Sequence, residues 1–113
     1  VFPMIVHQKL SAFIASEVFG VRLPEILSAI GCHTTLKSGA SRLDKVVFVA
    51  DKLAWDGQGD PPYLNQVISG LDESLELGVF RYLDHLWCRR HELRVIHPWL
   101  KAAHAELLSA LSR

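Results

Sequence analysis

Long apolar runs, an excess of charge and cysteine are what this sequence of 113 residues has least of. A membrane-spanning helix needs about 20 consecutive apolar residues, whereas the "VVFVA" run at 46–50 is closed at once by Asp51. Lysine and arginine number 12, aspartate and glutamate also 12, and the formal net charge is zero. That balance argues against the basic footprint by which proteins grip nucleic acid or an anionic membrane. The two cysteines, Cys32 and Cys88, fit neither a disulfide framework nor a CxxC metal site. Two free thiols suit a reducing cytoplasm. The opening "VFPMIVHQKL" lacks the basic leader and long apolar stretch of a signal peptide. It also does not begin with Met, so the chain is expected to start partway into a longer protein. GxSxG, the P-loop and HExxH are all missing, although "RHEL" begins like the last. No residue is catalytic by pattern.

Half of the residues are hydrophobic, enough for a core in one domain spanning 1–113. They recur at helical spacing, and no convincing alternating strand is seen. The expected fold is all-α. A first helix covers about 3–18, with Val6, Leu10, Phe13 and Ile14 as its inner stripe and Gly20 as its stop. A second opens at Pro24 and runs to Gly31 or Cys32. Ser41 caps a third, with Asp44 favourably placed near its positive end, and this helix reaches about Trp55. "DGQGDPP" breaks the chain. A fourth helix covers about 61–69, and a fifth runs from near Asp72, its expected cap, to Arg90. A sixth starts at Pro98 and continues to the end.

Three polar residues border these stripes. At about 100° per residue, Leu43, Val46, Val47, Ala50 and Ala54 form the expected core stripe of the third helix, and Lys45 and Lys52 point to water. Asp51 lies about 80° from Leu43, at the margin, where a carboxylate is either solvated or paired. Periodicity leaves both readings open. His7 flanks the inner stripe of the first helix, and His33 sits at the end of the second, where a helix dipole alone would stabilise it. The remaining histidines do not make a metal site by local geometry. His85 and His91 turn to nearly opposite faces. His97 and His104 share a face but stand about 10.5 Å apart along the axis, whereas each ligand must approach its ion to about 2.0–2.1 Å. They read as surface or packing histidines.

The stretch "CHTTLKSGASRLDKVVFVAD" at 32–51 resembles the "HTTG…LDK…AD" segment of the YqeK family, bacterial HD-domain phosphohydrolases. "IVHQKLSAFIASEVFGV" and "VIHPWLKAAHAELL" are similar to that family's "LLHGPVGAYLA…FGI" and closing "IHPxTxxARNxLL" helices. The match runs over nearly the whole chain, in order and with matching spacings. It implies the C-terminal two-thirds of a helical HD-domain bundle whose N-terminal helices are missing. The family's metal pattern is a first His, a His-Asp pair, two further His and a final Asp. By resemblance His7 and His33 match the two further histidines, and Asp51 the final aspartate. No His-Asp dipeptide occurs here, since "DH" at 84–85 is reversed. The resemblance therefore places the first His and the pair before Val1. Leu36 stands where the family usually has glycine, and Gly39 is expected to supply the turn instead.

The implied activity is symmetrical hydrolysis of diadenosine tetraphosphate to two ADP at a dinuclear divalent-metal centre. Iron is the first expectation for the metal, and manganese or zinc the alternatives. Imidazole and carboxylate donors suit all three. His7 and His33 would hold one ion, and Asp51 would help to hold the other. Thr34, Thr35, Lys37 and Arg42 would meet substrate phosphates, and the family implies a homodimer. The rival readings are another HD-superfamily nucleotide phosphohydrolase, or a non-catalytic helical module that binds a nucleotide or partner.

Overall fold

The computed structural model describes residues 3–54, 57–93 and 97–112, with side chains from His7 onward. Those residues form six α-helices and a short 3-10 turn, with no strand among them. The helices are α1 (Pro3–Glu17), α2 (Pro24–Gly31), α3 (Arg42–Leu53), α4 (Leu64–Glu73), α5 (Leu75–Cys88) and α6 (Pro98–Leu111). The expected inward turn of Val6 and the expected helix ends at Trp55 and at the C-terminus lie outside the described residues.

Local chemistry accounts for most of the boundaries. Gly20 adopts φ +70° just beyond α1, the left-handed conformation that glycine tolerates without strain. Pro24 opens α2, where its missing N–H costs nothing. Ser41 and Asp44 form a reciprocal capping box on α3. The Ser41 hydroxyl accepts from the Asp44 N–H at 3.1 Å, and the Asp44 carboxylate accepts from the Ser41 N–H at 2.9 Å. The expected boundaries around the fourth helix move: α4 is Leu64–Glu73 rather than about 61–69, so Asp72 lies inside it, and the cap of α5 is Ser74, whose hydroxyl accepts from the Leu77 N–H at 3.0 Å. His97 caps α6 by accepting from the Trp99 N–H.

The helices pack in sequence around α5. It contacts α4, α6 and α3, while α2 packs on α3 and α1 on α2. The α4–α5 crossing is close because glycines meet there: a Cβ on Gly70 would stand 2.9 Å from the Gly78 backbone. The core gathers Phe48 and Val49 of α3, Val67 of α4, Val79 and Leu83 of α5, and Leu100, Ala103 and Leu107 of α6. Cys32 and Leu36 fill it from the turn after α2. His104 is buried between the Phe80 and Trp87 rings and donates from Nε2 to Asp84 at 3.1 Å, which ties α6 to α5.

Two expected stripes are overturned. On α1, Leu10 and Phe13 are 51% and 63% exposed, and Ile14 is also exposed. The buried side chain described on that helix is the polar Gln8. On α3, Leu43, Val46 and Ala50 face outward, while Asp44, Phe48 and Val49 are buried and Lys52 is largely covered. The aliphatic stripe defined by periodicity is thus the outer one. The opposite face packs because Phe48 meets Tyr82 edge-on, and the Lys52 ammonium lies 4.8 Å from the Phe48 ring centre and 5.6 Å from that of Tyr82.

Candidate functional site

Three segments converge at the turn that follows α2. His7 of α1 meets His33 edge-on, with ring centres 5.8 Å apart. His33 Nδ1 lies 2.6 Å from the Ile30 carbonyl oxygen. A carbonyl can only accept, so Nδ1 carries a proton, and in the neutral imidazole the lone pair is then on Nε2. This is the arrangement in which an imidazole is oriented for a metal by its other nitrogen. Asp51, at the C-terminal end of α3, is about half exposed and pairs with the Lys52 ammonium at 3.1 Å. The same ammonium donates to the Thr34 carbonyl at 3.1 Å. One cation therefore bridges the Asp51 carboxylate and the turn that carries His33.

The turn is fastened from α1 as well. Gln8, fully buried, accepts from the Thr34 N–H at 2.9 Å and donates to the Thr35 hydroxyl oxygen at 3.0 Å. Leu36 then turns the chain at φ +58°, a left-handed conformation that is costly for a branched residue. Its side chain is buried in the core, which offsets that strain. Gly39 is left-handed too, at φ +67°, so the loop has two such residues rather than one.

The remaining residues singled out from the sequence lie elsewhere. Lys37 donates to the Ser28 hydroxyl at 2.7 Å, and Ser28 in turn donates to the buried Asp44 carboxylate at 2.9 Å. Arg42 is exposed at the first turn of α3. Nine residues separate it from Asp51, about 13.5 Å of helix rise. The structure thus brings His7, His33, Thr34 and Thr35 together at one turn, links Asp51 to it through the Lys52 ammonium, and leaves Lys37 and Arg42 near the other end of α3. Asp44 and Asp51 share a helix face, yet one is buried and the other is not. The Ser28 hydroxyl of α2 reaches Asp44, while Asp51 lies two turns further along.

Burial shapes the electrostatics here. It pushes the Lys52 pKa down, and the Asp51 carboxylate beside it pulls back toward the charged form. Burial also pushes the Tyr82 hydroxyl well above its usual range, with Tyr63 and Asp51 adding to the effect. Tyr63 donates to the Lys52 carbonyl at 2.7 Å and closes the end of α3. Nearby, an open depression of about 300 Å³ is lined by Gln66, Arg81, Asp84, His85, Cys88 and Arg89. Arg89 already pairs with Glu92 at 2.7 Å.

Sequence reasoning passed over Gln8 and wrongly turned Lys52 to water, although its side chain is only 10% exposed. Each directly follows a candidate ligand, and that adjacency was the available signal. Among the described residues, no cluster of three or more His, Cys, Asp or Glu is close enough to enclose a metal ion by itself. The donor chemistry nonetheless fits a divalent metal: two imidazoles in contact, one with its tautomer fixed, and a carboxylate tied to the same turn. No helix among the described residues is long and apolar enough to cross a membrane.

Comparison with known proteins gives the architecture a reference. No family model matches the sequence. The chain is 42% identical over 111 residues to an uncharacterized protein in the pepC 5′ region of Lactococcus lactis subsp. cremoris, a match over 98% of this chain and 56% of that protein. Its structure superposes, with a TM-score of 0.80 and 22% identity, on the crystal structure of a predicted HD superfamily hydrolase involved in NAD metabolism from Clostridium acetobutylicum. That match covers 92% of this chain and 55% of the other. The chain therefore has the all-α fold of an HD superfamily hydrolase, and it spans about half the length of the proteins it matches.

Proposed function

We propose that this chain is the C-terminal part of an HD-superfamily phosphohydrolase of the YqeK type, a cytoplasmic enzyme that splits diadenosine tetraphosphate into two ADP. The observation that carries the reading is the turn at 33–35. Within an HD hydrolase fold, it joins His33 to His7 by ring contact and to Asp51 through the Lys52 ammonium. His7 and His33 would hold one divalent ion, and Asp51 would contribute to a second. Iron is the first choice, with manganese and zinc as alternatives. Bound there, the ions would supply Lewis acidity to a phosphoryl oxygen and to water.

The chain's own residues do the positioning. His33 presents Nε2 because the Ile30 carbonyl holds the proton on Nδ1. The Thr35 hydroxyl oxygen accepts from Gln8, which leaves its own proton to donate to a phosphate oxygen. Thr34 stands beside it on the same turn. Lys37 and Arg42 would act on the outer phosphates of a long polyphosphate substrate, at the far end of α3. The first His, the His-Asp pair and a homodimer contact belong to the proposal as parts that a longer chain or a second copy supplies.

The test is Asp51→Ala in the full-length protein, with bound metal and diadenosine tetraphosphate turnover measured beside wild type. Loss of both with the helical circular dichroism retained is the expected result. Full metal content and turnover would leave Asp51 as a solvated aspartate. A wild-type protein that neither binds metal nor turns the substrate over would favour the non-catalytic binding module instead.

A further inference from the structure

Two of the three candidate ligands are followed by a residue that reaches the turn at 33–35. The pairs are His7-Gln8 and Asp51-Lys52. Successive side chains on a helix diverge by about 100°, so when one residue is given to an open cleft the next can reach the interior wall. Gln8 and Lys52 both do so, and they meet the backbone of the same residue, one at its N–H and one at its C=O. Gln8 takes the Thr34 N–H at 2.9 Å, and Lys52 takes the Thr34 C=O at 3.1 Å. Neither bond is needed to fill space. A leucine or methionine could cover Phe48 and Tyr82 without desolvating an ammonium, and a buried amide is costly unless both its ends are matched. Both ends of Gln8 are matched, one by Thr34 and one by Thr35.

We infer that Gln8 and Lys52 are positioning residues, a clamp on the backbone N–H and C=O of Thr34 that sets His33 in register with His7 and Asp51. The inference rests on the metal-site reading above and deepens it. Lys52 has a second task in the same geometry. Its ammonium holds one carboxylate oxygen of Asp51 at 3.1 Å, which fixes the carboxylate's rotation and leaves the other oxygen to a ligand. Partners of this kind, one bond removed from a metal, usually alter affinity rather than folding.

The experiment measures Mn²⁺ affinity by calorimetry and metal-free melting for the full-length protein and its Lys52→Met, Lys52→Arg, Gln8→Leu and Asp51→Ala variants. Lys52→Met retains the stem over Phe48 and Tyr82 but loses the donors. It is expected to weaken Mn²⁺ by about 10–100-fold at a wild-type-like melting temperature, and Lys52→Arg is expected to recover most of that loss. Gln8→Leu is expected to weaken Mn²⁺ and also to speed hydrogen exchange at the Thr34 amide. If Lys52→Met lowers the melting temperature as well, Lys52→Arg decides, since an arginine variant as weak as methionine overturns the clamp. Unchanged Mn²⁺ affinity in Lys52→Met and Gln8→Leu, with binding lost in Asp51→Ala, would overturn the clamp and leave the metal site standing. Unchanged affinity in Asp51→Ala would overturn the metal site itself.

Discussion

The two halves of this chain are held together by different forces. The α4–α5–α6 half is a packed core. Val67, Val79, Leu83, Leu100 and Leu107 are buried, and glycines let α4 and α5 approach closely. The α1–α2 half is open. Leu10, Phe13, Val18, Phe19 and Leu23 are all more than half exposed, and α1 is tied to the next turn by the amide of Gln8. Apolar burial is non-directional and supplies most of the stability, whereas hydrogen bonds contribute little net energy but fix geometry. The half that carries His7 and His33 is thus the half held in register by polar contacts.

Substitutions in the two halves should differ accordingly, and the largest effect belongs to the core. Leu83→Ala removes a fully buried side chain and is expected to destabilise the chain by about 2–5 kcal/mol in urea unfolding. The matching change in the open half, Phe13→Ser, is expected to stay within about 0.5 kcal/mol. A large loss from Phe13→Ser would break the comparison, because it would show that this face is covered in solution.

Asp44→Ala comes next, at about 1–3 kcal/mol. It removes the carboxylate half of the capping box and leaves the Ser28 hydroxyl and the Ser41 backbone N–H without their acceptor. Its effect should fall on melting temperature, whereas that of Asp51→Ala should fall on metal content. Gly70→Ala sharpens the packing side of the comparison. The added methyl would meet Gly78 backbone, at about 1–3 kcal/mol for overpacking, partly offset by about 1 kcal/mol of helix propensity.

Leu36 tests whether the turn stores strain. Both Leu36→Ala and Leu36→Gly empty the same buried site, but only glycine relieves the positive φ, worth roughly 1–2 kcal/mol. The glycine variant is therefore expected to be the more stable of the two, the reverse of the usual order. The smallest effect is chemical. Burial, with the Asp44 charge adding to it, pushes the Cys32 thiol up to about 11, while Cys88 is exposed. At pH 8 a thiol reagent should label Cys88 alone in the native chain, and both cysteines once it is unfolded.

Much of the fold was legible without coordinates. The helices follow from apolar periodicity, and most of their ends from residues whose signals act over one turn, namely Gly20, Pro24, the Ser41–Asp44 box and Pro98. The pairing of His7 with His33 was legible only through resemblance, since nothing local links residues so far apart in sequence. The α3 stripe was misread, because periodicity finds an apolar face but not which neighbour will take it. Lys52 was assigned to water on its charge, yet its stem and ammonium found two aromatic rings, a carboxylate and a carbonyl.

The sequence by itself determined an all-α chain, the proline-led starts of α2 and α6, the capped start of α3, and a set of donors suited to a divalent metal. Those properties depend on a residue and its near neighbours along the chain. Only the tertiary structure decided that α3 buries Phe48 and Lys52 rather than Leu43 and Val46, that Leu36 turns left-handed at a position buried in the core, and that Gln8 and Lys52 bond the N–H and the C=O of one residue, Thr34. Each of these outcomes depends on partners distant in sequence. Their free energies are set by which surfaces meet, and local propensity carries no record of that.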